Sequence, residues 1–336
     1  MQRDARAVEA LKSIDGLTVD VLDFDEGGGL YAENAAIDPA RAADADILFC
    51  ELPFANMDAF TNLKFIQISS AGYAQLYGLD LPQKNIRACN GRGVFDTPIG
   101  EWCAAMMVNL VRDVRAMLRN QEAGVFDRDA RFQSELRGKR AGFFGYGSIA
   151  REAARLAKAM GMDISAYGRE RADFTHRNYY AVPGTGDMQA EIPDAFYFPG
   201  QEDEFCKNLD FFIVGMPLTP LTEGIVGEKI LRALPKGVFI INFARGPIID
   251  ETALLNALRD GHIGGAALDV HYKYPMPADH PLWRFPNVIM TPHISGSSKS
   301  TNFLPRIYDI LTRNVKRYMN GRPLLNQLTE AQLNGG

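Results

Sequence analysis

The residues best placed by type and spacing to do chemistry begin at Gly145. The stretch Arg140–Arg151 reads RAGFFGYGSIAR. An apolar run, Ala141–Phe144, leads into Gly145-x-Gly147-x-x-Ala150 and then a helical pattern. This spacing suits a dinucleotide. Gly145 permits the tight turn, Gly147 lets a pyrophosphate approach the backbone, and Ala150 is small enough for close helix–strand packing. Ser148 and Ile149 open a helix whose N-terminus faces the anion. The following strand, in MDISAYGRER, ends at Gly168. An NAD site usually places Asp or Glu there to hold the ribose 2′-hydroxyl. Here Arg169 and Arg171 follow instead. No carboxylate repels a 2′-phosphate, and guanidinium groups lie nearby, so NADP is the better match. NAD stays open, through Glu170 or Asp173 reaching back to the ribose.

The elements that must position this loop are legible as alternating strands and helices. Strands are expected at Thr18–Phe24, Ile47–Cys50, Phe65–Ile68, Ala141–Phe144, Asp163–Ala166, Phe211–Val214, Val238–Ile241, Ala266–Asp269 and Val288–Met290. Helical patterns such as Ile149–Met160 and Glu251–Asp260 lie between them. Such alternation implies parallel βαβ units in a doubly wound α/β fold. Ligands of these sheets bind beyond the carboxyl ends of the strands. Gly100–Arg119 reads as one long helix, strongly apolar on one side, that joins two domains, packs on a partner subunit or is an ordinary core helix. Between Arg169 and Leu209 the sequence is irregular and rich in Pro, Gly and aromatics, too long for an ordinary connection, and reads as an insertion.

Global properties narrow the class. The chain has 336 residues, 46% hydrophobic and 23% charged, enough apolar material for a large core. A length of this order suggests two domains. With Lys+Arg 36 against Asp+Glu 41, the net charge of −5 argues against a nucleic-acid binder. Cys50, Cys89, Cys103 and Cys206 form no C-x-x-C pair, which argues against a zinc or disulfide framework and suits a reducing cytosol. The charged N-terminus lacks the apolar core of a secretion signal, and runs such as FFIVGM are too short to span a membrane. A cytoplasmic protein without membrane or nucleic-acid partners is expected.

Three further blocks follow the glycines: Ile241–Gly246 (INFARG), Ala267–Val270 (ALDV) and Thr291–Gly296 (TPHISG). With Leu136-Arg-Gly138-Lys, Ser70-Ala-Gly72-Tyr73 and Gly215-Met-Pro217-Leu-Thr219-Pro-Leu-Thr222, the chain resembles the D-isomer specific 2-hydroxyacid dehydrogenases. His280–Trp283 and Pro286–Ile289 look most like the glyoxylate/hydroxypyruvate reductase type. The resemblance implies two doubly wound domains. One is a Rossmann-type dinucleotide domain over residues 90–305. The other is a flavodoxin-like substrate domain built from residues 1–89 and 306–336. It also implies a homodimer joined through the Gly100–Arg119 helix. Thr97, Met216, Pro217, Thr222, Asn242, Phe243, Ala244, Asp269, His293 and Gly296 then line the cofactor, and the backbone of Ser70, Ala71 and Gly72 grips the carboxylate of a small anionic substrate.

Reduction of a 2-oxo acid needs a group to hold the carboxylate, one to polarise the carbonyl and one to give a proton. Arg245 suits the first two, because its planar fork binds carboxylate bidentately and stays charged. His293 suits the third, since an ordinary imidazole titrates near neutrality. In the family a Glu before the Pro after Asp269 pairs with this His. Here Tyr274 stands at that position, before Pro275. A neutral Tyr can orient the ring but cannot raise its pKa as a carboxylate does. His293 should stay neutral to lower pH, which favours a base for alcohol oxidation over an acid for reduction. Two alternatives remain: hydride abstraction from another small anion such as formate or phosphite, and a dinucleotide-sensing binding protein like the corepressors of this superfamily. Substrate choice is expected from loops near Phe54, Tyr73–Tyr77 and Trp283. The start departs as well, since a helical pattern over Arg3–Leu11 precedes the first expected strand.

Overall fold

A computed structural model describes residues 3–22, 35–129, 134–169, 179 and 181–335. The chain divides into two compact units: Asp96–Arg177 with Val182–Ser297, and Met1–Phe95 with Asn178–Ala181 and Ser298–Gly336. The divisions therefore fall at Phe95 and Ser297 rather than at residues 90 and 305, and four residues of the expected insertion belong with the two chain ends.

The middle unit carries seven strands: β4 (Arg140–Phe144), β5 (Asp163–Tyr167), β6 (Ala195–Tyr197), β7 (Phe211–Val214), β8 (Val238–Asn242), β9 (Ile263–Leu268) and β10 (Val288–Met290). Their labels continue from three strands of the other unit, β1 (Ile47–Cys50), β2 (Phe65–Ile68) and β3 (Arg87–Cys89). The order β10-β9-β8-β7-β4-β5-β6 is parallel throughout. Parallel strands are covered on both faces, which is why β7 reads FFIV and is buried at every position. The order reverses at β4, whose neighbours are β5 and β7, so the loop after β4 sits at the topological switch point. Phe144, Tyr167, Phe205 and Phe212 form the aromatic centre of this core, with Phe144 and Tyr167 stacked at 4.5 Å.

The smaller unit holds the sheet β1-β2-β3, also parallel. Its helices are α1 (Ala5–Lys12), α2 (Pro39–Ala43), α9 (Phe303–Met319) and α10 (Glu330–Leu333). Leu11, Phe65, Cys89, Ile307 and Leu311 are buried together, so both chain ends contribute to one core. The middle unit has α3 (Asp96–Val111), α4 (Val114–Glu122), α5 (Ser148–Ala159), α6 (Glu202–Cys206), α7 (Glu228–Ala233) and α8 (Glu251–Arg259). No described helix is long and apolar enough to cross a membrane.

Several expectations are corrected. Thr18–Leu22 is not a strand, and Asp23 and Phe24 lie outside the described residues. The single helix over Gly100–Arg119 is two helices, α3 and α4, interrupted where Asp113 takes a left-handed φ of 47°. Asp is among the few non-glycine residues that enter that conformation readily, and here its side chain makes no cap hydrogen bond. The insertion is shorter than it looked, because β6 and α6 make an ordinary strand–helix unit. With only three residues, β6 is too brief to show periodicity. β3 was missed for the same reason, since Arg87 masks its start.

Candidate active site

The dinucleotide loop follows from backbone sterics. Gly145 has φ +101°, and a Cβ there would lie 2.5 Å from the Met216 backbone nitrogen. Only glycine fits such a turn. At Gly147 the situation is opposite: a Cβ would meet nothing nearer than Gly215 O at 4.0 Å. The space it would fill lies before the first turn of α5, where a pyrophosphate would approach. Ala150 is buried against Gly215, whose own Cβ would come within 3.2 Å of it. These residues fit a dinucleotide. Ser148 differs from a free phosphate donor, because its buried hydroxyl donates to Asp96 Oδ1 at 3.0 Å. Thr97 is half-buried in the first turn of α3. Gly168 follows β5 with its N–H on Tyr197 O, and Arg169 is exposed beyond it. Glu170, Arg171 and Asp173 lie outside the described residues.

After β7, Met216 is half-buried and Pro217 is exposed. Thr222 pins this loop by donating to Pro217 O at 2.6 Å and accepting from Thr219 N at 2.8 Å. Phe243 is buried just after β8, and Ala244 is half-buried. In the smaller unit, Ser70, Ala71 and Gly72 follow β2. Asn90 Nδ2 donates to Ala71 O at 2.7 Å and Ser70 Oγ to Gly72 O at 2.7 Å, so those carbonyls are taken and the N–H groups are what Ala71 and Gly72 can offer an anion. Gln75 Nε2 holds the Ser70 hydroxyl at 2.8 Å. No sequence signal marked Asn90 or Gln75.

Arg245 sits one turn beyond β8. Buried Asn242 shapes that turn: its Oδ1 accepts from Ala244 N and its Nδ2 donates to Arg245 O, both at 2.9 Å. Asn242 therefore positions Arg245. The half-buried guanidinium donates to Ala244 O at 2.6 Å and, among the described residues, pairs with no carboxylate. Burial pushes its pKa down, partly offset by Tyr274.

Asp269 follows β9 and is fully buried. Its carboxylate accepts from Thr291 Oγ1 at 2.6 Å, Ile294 N at 2.9 Å, Ser295 N at 3.0 Å and the Ser295 hydroxyl. Expected beside the cofactor, it clamps the loop that carries His293. That loop is tight, with His293 itself at φ 56°. His293 Nδ1 is buried without a hydrogen-bond partner. Burial lowers the imidazole pKa, the Arg245 cation lowers it further, Asp269 pulls the other way, and His271 again lowers it. Gly296 is half-buried at the end of the loop.

The ring of Tyr274 lies 5.6 Å from that of His293. Its hydroxyl accepts the His271 N–H at 3.0 Å. His271 was not assigned a role from sequence. It is buried, and its Nε2 meets Thr291 O at 2.8 Å. A carbonyl only accepts, so the proton resides on Nε2, and Nδ1 is left as a buried, unpartnered acceptor. Arg245, Asp269, His271, Tyr274 and His293 thus gather at the carboxyl ends of β8, β9 and β10. No cluster of potential metal ligands occurs among the described residues.

Residues 104–295 match the family profile described as D-isomer specific 2-hydroxyacid dehydrogenase, NAD binding domain. The chain belongs to that family. It is therefore a nicotinamide-dependent oxidoreductase. It is 28% identical over 286 residues to a glyoxylate reductase of Thermofilum pendens, covering 83% of this chain and 79% of that one. It is 27% identical over 294 residues to a hydroxypyruvate reductase of Blautia hydrogenotrophica, covering 85% of each. A solved 2-hydroxyacid dehydrogenase of the family from Xanthobacter autotrophicus Py2, in complex with NADPH and MES, superposes with TM-score 0.71 at 25% identity, over 88% of this chain and 86% of that one.

Proposed function

We propose that this family member uses NADP in preference to NAD and interconverts a small D-2-hydroxy acid and its 2-oxo acid. The observation that carries this reading is the pair of groups left open in one unit: the Arg245 guanidinium, without a carboxylate partner among the described residues, and the His293 imidazole, with its Nδ1 unpartnered. A half-buried cation lacking a counter-charge favours an anionic ligand, and its fork matches a carboxylate. The glycine loop would hold the dinucleotide, and a bound nicotinamide would supply or take the hydride at C2 of the substrate. Arg245 holds the carboxylate and draws electron density from the C2 oxygen. In oxidation, neutral His293 takes the hydroxyl proton as C2–H leaves as hydride. In reduction, protonated His293 returns it. Because His293 is held below the ordinary range of about 6.5, the base form is the better supplied near neutrality.

Gly168 and Arg169 support NADP, and the glyoxylate and hydroxypyruvate reductases among the relatives support a small substrate. The lowered His293 also favours a second reading, oxidation of formate. Breaking its C–H bond releases carbon dioxide and no proton, so the step needs no acid or base. A homodimer is supported by apolar side chains exposed along α3, α4 and the residues after them, including Val108, Met117, Leu118 and Phe126, the last 90% exposed. Four buried, unbonded cysteines fit a reducing cytoplasm. The test is cofactor absorbance with glyoxylate, hydroxypyruvate, pyruvate, formate and phosphite, each with NADP and NAD and in both directions. Turnover of a 2-oxo or 2-hydroxy acid with NADP supports the proposal. Turnover of formate alone supports the second reading. Tight cofactor binding with no turnover favours a sensor.

A further inference from the structure

We infer that Asp187, carried by the irregular stretch before β6, is a positioning residue for the dinucleotide loop, acting through Tyr146 and Arg151. Tyr146 is the residue between Gly145 and Gly147. Its ring is 4% exposed and packs edge-on against Phe143 at 6.3 Å. Its hydroxyl donates to Asp187 Oδ2 at 2.7 Å. The same carboxylate accepts from Glu191 N at 2.9 Å and Ile192 N at 3.1 Å, which fixes the stretch into a local turn. Arg151, 1% exposed on α5, completes the brace. Its Nη1 donates to Asp187 O at 2.6 Å and its Nε to Tyr146 O at 3.3 Å, and its guanidinium lies 5.5 Å from the centre of the Tyr146 ring. The next residue of α5, buried Glu152, accepts Gly186 N at 2.7 Å.

The carbonyl and the hydroxyl of Tyr146 are thus both tied, one to the helix and one to the added stretch. The residue between two glycines has little restraint of its own, because its neighbours are the most permissive in the chain. A loop that binds pyrophosphate through backbone N–H groups loses affinity when it must be ordered at the moment of binding. Volume alone does not call for this network: a Phe at position 146 would fill the same space. Burying Tyr, Arg and Asp together costs desolvation, and what a fully satisfied polar network provides is one defined geometry. The Asp187 stretch sets the loop before the cofactor arrives.

The inference rests on the cofactor reading of the glycine loop, and the test separates the two. Titrate NADP and NAD into wild type, Tyr146→Phe and Asp187→Asn by calorimetry. Measure Tm and the kinetics of a turned-over substrate alongside. Tyr146→Phe keeps the ring and removes only the bond, so it stays folded even if Asp187→Asn does not. The expected result is a cofactor Kd raised by roughly tenfold in Tyr146→Phe, with kcat at saturating cofactor and the KM of the organic substrate within about twofold of wild type. A lowered Tm with unchanged cofactor Kd would overturn the inference, since the brace would then serve the fold alone. Wild-type protein that binds neither dinucleotide overturns the cofactor reading and the inference with it.

Discussion

The two chemical ends of the middle unit are built in opposite ways. At the loop after β4, the middle residue of the glycine turn is held at its carbonyl by Arg151 and at its hydroxyl by Asp187, and Arg151 and Asp187 are bonded to each other. At the loop after β10, Asp269 holds residues 291–295 through the Ile294 and Ser295 N–H groups and the Thr291 and Ser295 hydroxyls, while the His293 imidazole keeps an unpartnered Nδ1. The cofactor end is held rigid. The proposed acid–base end is held in place with the His293 pKa lowered by burial and by the Arg245 cation, and Tyr274 stands beside the ring where a carboxylate would raise it. A site can thus hold its geometry and still change the protonation state in which it works.

Arg245→Ala should have the largest effect at the acid–base end. Loss of two charge-assisted hydrogen bonds to the substrate carboxylate predicts a fall in kcat/KM of roughly a thousandfold, with cofactor Kd unchanged. Arg245→Lys should recover part of it, because an ammonium lacks the fork. His293→Ala should lower kcat by about a hundredfold or more for 2-hydroxy acid oxidation. If formate were the substrate, the same variant would lose far less. The cofactor end predicts a contrasting pair. Gly147→Ala has room for its methyl and should keep its Tm while weakening cofactor binding by about tenfold. Gly145→Ala meets Met216 N and a φ of +101°, and should lower stability by about 1–3 kcal/mol in thermal unfolding. If both glycine variants changed only Tm, the distinction between turn and cradle would fail.

The glycine turn after β4 was legible from sequence, because backbone sterics at Gly145 and Gly147 depend on local residue type and spacing. Strands β1, β2, β7 and β10 matched the expected bounds, since short runs rich in apolar residues announce themselves in the sequence. Tyr146 and Asp187 are 41 residues apart and their bond has no local signature. The same holds for Asp269, whose motif suggested a cofactor contact while its partners lie 22 to 26 residues away in the Thr291–Ser295 loop. The break at Asp113 was hidden because the apolar pattern continues through it, and only its φ reveals two helices.

The most direct test is the pH dependence of kcat/KM for 2-hydroxy acid oxidation in wild type and Tyr274→Glu. This profile reports the free enzyme's acid–base group. A lowered pKa means that His293 stays neutral, and active as a base, to below the ordinary value of about 6.5. In wild type, oxidation should therefore hold its plateau down to that range and fall only in more acid solution. Reduction, which needs the protonated ring, should decline early as pH rises. A carboxylate at position 274 stabilises the imidazolium, so the apparent pKa should rise, the oxidation limb should move to higher pH, and reduction should persist further into neutral solution. An apparent pKa that is the same in both proteins would contradict the assignment of His293 and Tyr274 as the pair that sets the working protonation state.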